Sequence, residues 1–266
     1  EFMEKKEKIR YAVLGAAFIL VAGMFFCVSR QKSVAVTAMP KERTLPIYCV
    51  QKEKPQISLT FDAAWGNEDT GVILEILEKY HVKATFFMTG GWVKSYPEDV
   101  KKILAAGHDL GNHSENHLNM SELSNGEKEE ELMMVHNRVK QLTGYEMFLF
   151  RPPYGDYDEK LVNCAKKCGY YTIQWDVDSL DWKDYGTDSI IKTVCGHKHL
   201  GNGSIILCHN GAKYTASALA RMIEQLKEAG YEFVPVSELI HKEDYYMDHE
   251  GRQIPYEEGG VETTSE

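Results

Sequence analysis

Residues 57–88 read ISLTFDAAWGNEDTGVILEILEKYHVKATFFM, and this stretch decides the fold. Ile57–Phe61 is an apolar, β-rich run closed by a carboxylate, Asp62. Val72, Ile73, Ile76, Leu77 and Tyr80 then recur at helical spacing, before a second β-rich run at Ala84–Met88. A strand, a crossover helix and a strand make a parallel pair, because a hairpin needs only a short turn. The same alternation continues outward. Further β-rich runs lie at Phe148–Phe150, Tyr170–Trp175, Ser204–Cys208 and Glu232–Val236, with a weaker one at Asp109–Gly111. Leu219, Met222, Ile223 and Leu226 form another helical stripe. Gly107, Gly169 and Gly230 each stand where a helix should stop before the next strand. Seven strands of this kind predict an α/β fold, a distorted (β/α)7-type barrel with parallel strands. A further run, Ile47–Val50, is expected to pair with Ile57–Phe61 as a hairpin edge.

The flanks have a different character. Glu1 and Phe2 precede the first methionine, Met3, and are left out of the reading. Residues 3–10 carry Lys5, Lys6, Lys8 and Arg10, and residues 11–28 are uncharged and apolar. Such a run nearly spans a bilayer at about 1.5 Å rise per residue. The cations before it outweigh Arg30 and Lys32 after it, so residues 3–10 are expected in the cytoplasm. Residues 11–28 then form an uncleaved transmembrane helix, 29–44 a linker and 45–241 an extracellular domain, with single-pass attachment to the cell membrane. Residues 242–266 are acidic and lack an apolar period, and are expected to be a disordered tail. A formal net charge of -10 argues against a nucleic-acid partner. Outside the apolar run five cysteines remain, an odd number without a Cys-x-x-Cys pair, so free thiols are expected.

In a barrel of parallel strands, residues just past the strand C-termini meet at one rim. Asp62, His113, His117, Arg151, Asp178, Asp181 and His209 all fall there. If the segment 113–117 turns into a helix, its two histidines share a face and can grip one divalent ion. The helix after Asp62 is expected to start near Asp69–Thr70, with Asp69 its cap, which leaves Asp62 as a candidate general base. Arg151 sits in Arg151-Pro152-Pro153-Tyr154-Gly155, whose prolines stiffen the turn. Either it staples a loop, or it holds a catalytic carboxylate ionised. His209 closes an apolar strand; a carboxylate such as Asp181 beside it would raise its pKa and make it a general acid.

Five segments in order, Thr60-Phe61-Asp62-Ala63, His113 to His117, Arg151 to Tyr154, Asp178 to Trp182 and Leu207 to His209, resemble the NodB-homology polysaccharide deacetylases, carbohydrate esterase family 4. The resemblance runs from about Gln56 to Leu239. It implies a hydrolase that removes N-acetyl groups from polysaccharide amino sugars and releases acetate. The implied cofactor is a divalent metal, zinc in first place, on His113 and His117. Asp62 is the implied base, oriented by Arg151, and His209 the acid, supported by Asp181. The backbone N–H of Tyr154 would face the oxyanion, with Leu207 and Trp182 walling the acetyl pocket. The family's first motif carries a second Asp as metal ligand, and this chain has Ala63. Asp69, ahead of Glu68, is the candidate substitute. This altered motif resembles the wall- and sporulation-associated branch that acts on peptidoglycan. Two alternatives remain: a catalytically impaired glycan-binding protein, and an O-acetyl esterase.

Overall fold

The computed structural model describes Met3 and residues 44–256. The expected cytoplasmic segment and membrane span lie outside the described residues, apart from Met3. No described helix is long and apolar enough to cross a membrane.

Seven parallel strands form the main sheet: β2 (Gln56–Ala63), β3 (Thr85–Met88), β4 (Asp109–Asn112), β5 (Leu149–Phe150), β6 (Tyr171–Thr172), β7 (Val177–Asp178) and β8 (Ile205–Asn210). Their spatial order is β6-β5-β4-β3-β2-β8-β7. The two ends of this order, β6 and β7, follow one another in the chain but do not pair. The sheet is therefore a curved half-barrel rather than a closed one. The expected strand at 170–175 is only the two-residue β6; the chain then crosses to the other end of the sheet, where β7 starts at Val177. The run at 232–236 contributes only β9 (Glu232–Phe233), which pairs with the start of β2.

Helices cover the outer face. These are α1 (Thr70–Lys79), α2 (Gly90–Ser95), α3 (Pro97–Ala105), α4 (Asn125–Thr143), α5 (Glu159–Lys167), α6 (Thr187–Cys195), α7 (Thr215–Glu228) and the short α8 (Val236–Leu239). Period-two alternation along β2 sorts its side chains between faces. Ile57, Leu59, Phe61 and Ala63 join the core cluster that the helices share. Ser58, Thr60 and Asp62 are buried polar residues on the other face. A second cluster, Phe87, Leu149, Ile173 and Ile205 with Val236 and Leu239, packs apart from the first. The stripe on α7 is buried throughout, and Gly107, Gly169 and Gly230 all take the left-handed backbone that follows a helix end.

The run Ile47–Val50 does not pair with β2 as a hairpin. Instead Ile47 donates to Thr172 O at 2.8 Å and accepts from Gln174 at 2.7 Å, while Val50 donates to Gly203 O at 2.9 Å. It thus links the β6 end of the sheet to the segment leading into β8. Gly203 is required there, since a Cβ would lie 1.6 Å from Val50 O. Within this run β1 (Cys49–Val50) pairs in parallel with β11 (Arg252–Pro255), which pairs antiparallel with β10 (Tyr245–Met247). The expected disordered tail is therefore ordered through residue 256. Its buried Gln253 holds it down by exchanging hydrogen bonds of 2.7 and 2.6 Å with the His241 backbone. All five described cysteines are free thiols.

Candidate active site

A cavity of about 680 Å³ opens at the C-terminal ends of the strands, and Asp62, His113, His117, Tyr154, Trp182, Leu207 and His209 line it. Five strand ends supply them, as the parallel arrangement demands. Arg151 and Asp181 do not line the cavity. Each is fully buried and bonded to a residue that does.

Arg151 supports Asp62. Its guanidinium donates to Asp62 Oδ1 at 2.8 Å, to Thr60 Oγ1 at 2.8 Å and to Gln174 O at 3.1 Å. It lies over the Phe87 ring at 4.2 Å from the centroid. Burial works against the Asp62 charge, but the Arg151 charge, aided by His113 and His209, outweighs it and holds the carboxyl below the usual carboxylate range. Asp62 is a carboxylate at neutral pH, ready to accept a proton through Oδ2.

Asp181 supports His209 in the same manner. Its Oδ1 meets His209 Nδ1 at 2.7 Å, and its Oδ2 accepts from the His209 N–H at 2.7 Å and from Thr215 Oγ1 at 2.6 Å. Burial alone would lower the His209 pKa; the Asp181 hydrogen bond and charge reverse this, and the net direction is upward. The imidazolium is thereby favoured, with Nε2 turned from Asp181. Asp181→Asn keeps the shape and removes the charge. The alkaline limb of the pH–rate profile should then move acidward. An unmoved limb would show that His209 is not the acid.

The two histidines meet, but not on a helix. Residues 113–119 form a loop in which Ser114 and His117 take left-handed backbone, at φ 66° and 56°. Side chains impose the turn. Asn112 Oδ1 accepts from the Ser114 N–H at 2.9 Å, and Ser114 Oγ from the His117 N–H at 3.0 Å. Glu131, on α4, receives both the N–H and the side-chain amide of Asn116, at 2.8 and 2.6 Å. The ring centroids of His113 and His117 end 4.9 Å apart.

Could this pair hold a metal ion? His113 Nδ1 lies 2.7 Å from Arg151 O, which leaves Nε2 to ligate. Burial pushes His113 down to about 4 and lowers His117 as well, so both rings are neutral and offer lone pairs. Nε2 of His113 lies 3.5 Å from Asp62 Oδ2. The pair thus fits part of a ligand set. Among the described residues, however, no group of three His, Cys, Asp or Glu could hold an ion. Ala63 packs in the helix-side core and does not line the cavity. Asp69 does not join the pair: it is absent from the cavity wall, and its Oδ1 accepts from the Gly211 N–H at 2.9 Å. That bond also takes its carboxylate away from the helix, so Asp69 stands at the N-cap of α1 without a side-chain cap bond.

Several contributors escaped the sequence reading. Trp65, Trp175, Asp184 and Lys213 line the cavity, and Gln174 and Glu131 fix Arg151 and the histidine loop. For Trp65 a signal existed, since it follows Asp62 by three residues in the same loop. Gln174 acts on Arg151 through its backbone and left no signal.

Known proteins share this sequence and this fold. The family model for polysaccharide deacetylase matches residues 50–173. A peptidoglycan-N-acetylglucosamine deacetylase of Bacillus cereus is 38% identical over 189 residues, covering 69% of this chain and 87% of that protein. The uncharacterized protein YlxY of Bacillus subtilis is 36% identical over 195 residues, 73% of this chain, and the match spans only 60% of YlxY. Among solved structures, a carbohydrate esterase family 4 pseudoenzyme of Bacillus anthracis superposes with a TM-score of 0.71 at 35% identity, covering 80% of this chain and 74% of that one. A mutant of that pseudoenzyme has restored enzymatic activity. The chain belongs to the polysaccharide deacetylases of carbohydrate esterase family 4.

Proposed function

We propose that this protein hydrolyses the N-acetyl groups of cell-wall polysaccharide amino sugars, with peptidoglycan as its substrate class. The observation that carries the reading is the pair of proton carriers in one cavity. Asp62 is held ionised by buried Arg151, and buried Asp181 raises the proton affinity of His209. Binding alone needs neither. The peptidoglycan deacetylases among its relatives support the substrate class.

In this mechanism Asp62 accepts a proton from water as the water oxygen attacks the acetyl carbonyl carbon. His209 then gives its proton to the sugar nitrogen as the C–N bond breaks, releasing acetate and a free amine. The proton on Asp62 returns to solvent, and His209 is recharged. The Tyr154 backbone is assigned to the oxyanion, and Leu207 and Trp182 to the wall of the acetyl pocket. A divalent ion, zinc in first place, would sit on His113 and His117 and supply Lewis-acid polarisation. Two protein ligands are fewer than the three usual in catalytic zinc sites, so its affinity should be low.

Titration of the protein with zinc should therefore show weak binding that disappears in a His113→Ala, His117→Ala double variant. Equal zinc uptake by both proteins would remove the histidines from the metal site. For location, the cations before residue 11 and the apolar run 11–28 favour a membrane-anchored protein with its catalytic domain outside the cell. A second reading, a glycan-binding protein without turnover, draws on the incomplete ligand set and on the similarity to a pseudoenzyme. Acetate release from purified N-acetylated glycans, with and without added zinc, separates the two.

A further inference from the structure

The turn that brings His113 and His117 together depends on one buried amide. Asn112 ends β4 and is fully buried. Its Oδ1 accepts from the Ser114 N–H at 2.9 Å, at the entry to the histidine loop. That bond forms only when the amide faces one way, since turned over it would set donor against donor. Two acceptors behind it choose the orientation. Asn112 Nδ2 donates to Leu132 O at 2.8 Å and to the Tyr170 hydroxyl at 3.1 Å.

Leu132 O can only accept, but a hydroxyl can also donate. Where the Tyr170 proton goes is settled further out. The Tyr170 hydroxyl meets His136 Nδ1, on α4, at 2.7 Å, and His136 Nε2 meets Glu146 Oε2 at 2.9 Å. Lys140 and His136 hold Glu146 below the usual carboxylate range, so it accepts. His136 therefore donates through Nε2, and its Nδ1 accepts from Tyr170. Burial raises the Tyr170 pKa, so the hydroxyl keeps the proton it donates. Every donor then points outward, from Asn112 through Tyr170 and His136 to Glu146, whose side chain is 58% exposed. Tyr170, His136 and Glu146 do not line the catalytic cavity. The Tyr170 ring packs edge-on to Phe150 with centroids 6.4 Å apart, a contact that phenylalanine would reproduce. Only the hydroxyl serves the chain. Each buried member left without its partner would carry a desolvation cost.

We infer that Tyr170 and His136 are positioning residues for the histidine pair. They fix the Asn112 amide and, through it, the left-handed turn that aims His113 and His117. The inference rests on the proposed deacetylase reading for the ion that the pair would hold, and not for the turn itself.

The test uses the full-length protein with zinc alone as ligand. Zinc affinity is measured by calorimetry, and deuterium exchange of the Ser114 amide is followed by NMR without metal. Tyr170→Phe should weaken zinc binding by about tenfold and speed the Ser114 exchange. His136→Leu should do the same, and His136→Asn, whose Oδ1 stands in for the ring Nδ1, should recover part of the loss. Because both residues act along one chain, Tyr170→Phe with His136→Leu should cost no more than Tyr170→Phe alone. Ile223→Val, a core change on α7, which lends no residue to this chain, should leave both readings unchanged. Wild-type zinc affinity and wild-type Ser114 exchange in Tyr170→Phe, or losses that add in the double variant, would overturn the inference. If the wild type takes up no zinc, the Ser114 exchange decides alone. Faster exchange in Tyr170→Phe without acetate release by the wild type would retire the deacetylase reading and keep the positioning role. Acetate release with unaltered exchange would do the reverse.

Discussion

Replacing Arg151 with methionine should cost about 3–5 kcal/mol of folding stability at neutral pH. Arg151 is completely buried, and its guanidinium is the principal partner of the Asp62 charge. Methionine fills much of the volume but leaves a buried carboxylate without its counter-charge, and leaves Thr60 Oγ1 and Gln174 O each short of a donor. The pH dependence of the effect has a definite sign. In the wild type the Asp62 pKa is lowered by folding, so its contribution is present above the unfolded value and is lost as pH falls through the folded value. In the variant burial acts without the arginine, the folded pKa rises, and the ionised carboxylate destabilises the fold as pH increases. The gap between the two proteins should therefore be widest near neutral pH and narrow on acidification. Urea unfolding at several pH values reads it directly, and a loss independent of pH would mean that the arginine acts by packing alone.

Asp62→Asn should leave the fold intact and lower acetate release by about 10²–10⁴-fold, the usual scale for loss of a general base. Asparagine retains a carbonyl oxygen for Arg151 and so keeps most of the hydrogen-bond frame. It cannot accept the proton of an attacking water. The loss should appear in kcat more than in KM, because a proton acceptor acts in the transition state rather than in ground-state binding. Unchanged zinc uptake in the same variant would further separate Asp62 from the metal site.

Much of the site was legible because parallel strands place their C-terminal neighbours at one rim. Asp62, His113, His117 and His209 were found that way, and the cavity contains all four. Arg151 and Asp181 were legible as partners because a buried charge demands an opposite one, although neither touches the cavity. What escaped depended on side chains that replace regular backbone bonding. The histidine loop was expected as a helix since its spacing allows one. Asn112, Ser114 and Glu131 instead bond its backbone into two left-handed turns. Residues 245–255 looked disordered because their composition is polar. Their pairing partner, Cys49–Val50, lies two hundred residues away, and the residue that anchors them is a buried glutamine rather than an aliphatic. Asp69 is near Ala63 in sequence, as a substitute ligand should be, but it lies off the cavity wall with its Oδ1 bonded to the Gly211 N–H.

The central claim, that the Asp62 and His209 pair turns over N-acetylated glycans, is tested most directly by measuring acetate released from purified peptidoglycan by wild type and by Asp62→Asn, both with zinc present. The expected result is steady release by the wild type and a loss of at least about 100-fold in the variant. No release by the wild type under these conditions, or equal release by both proteins, would contradict it.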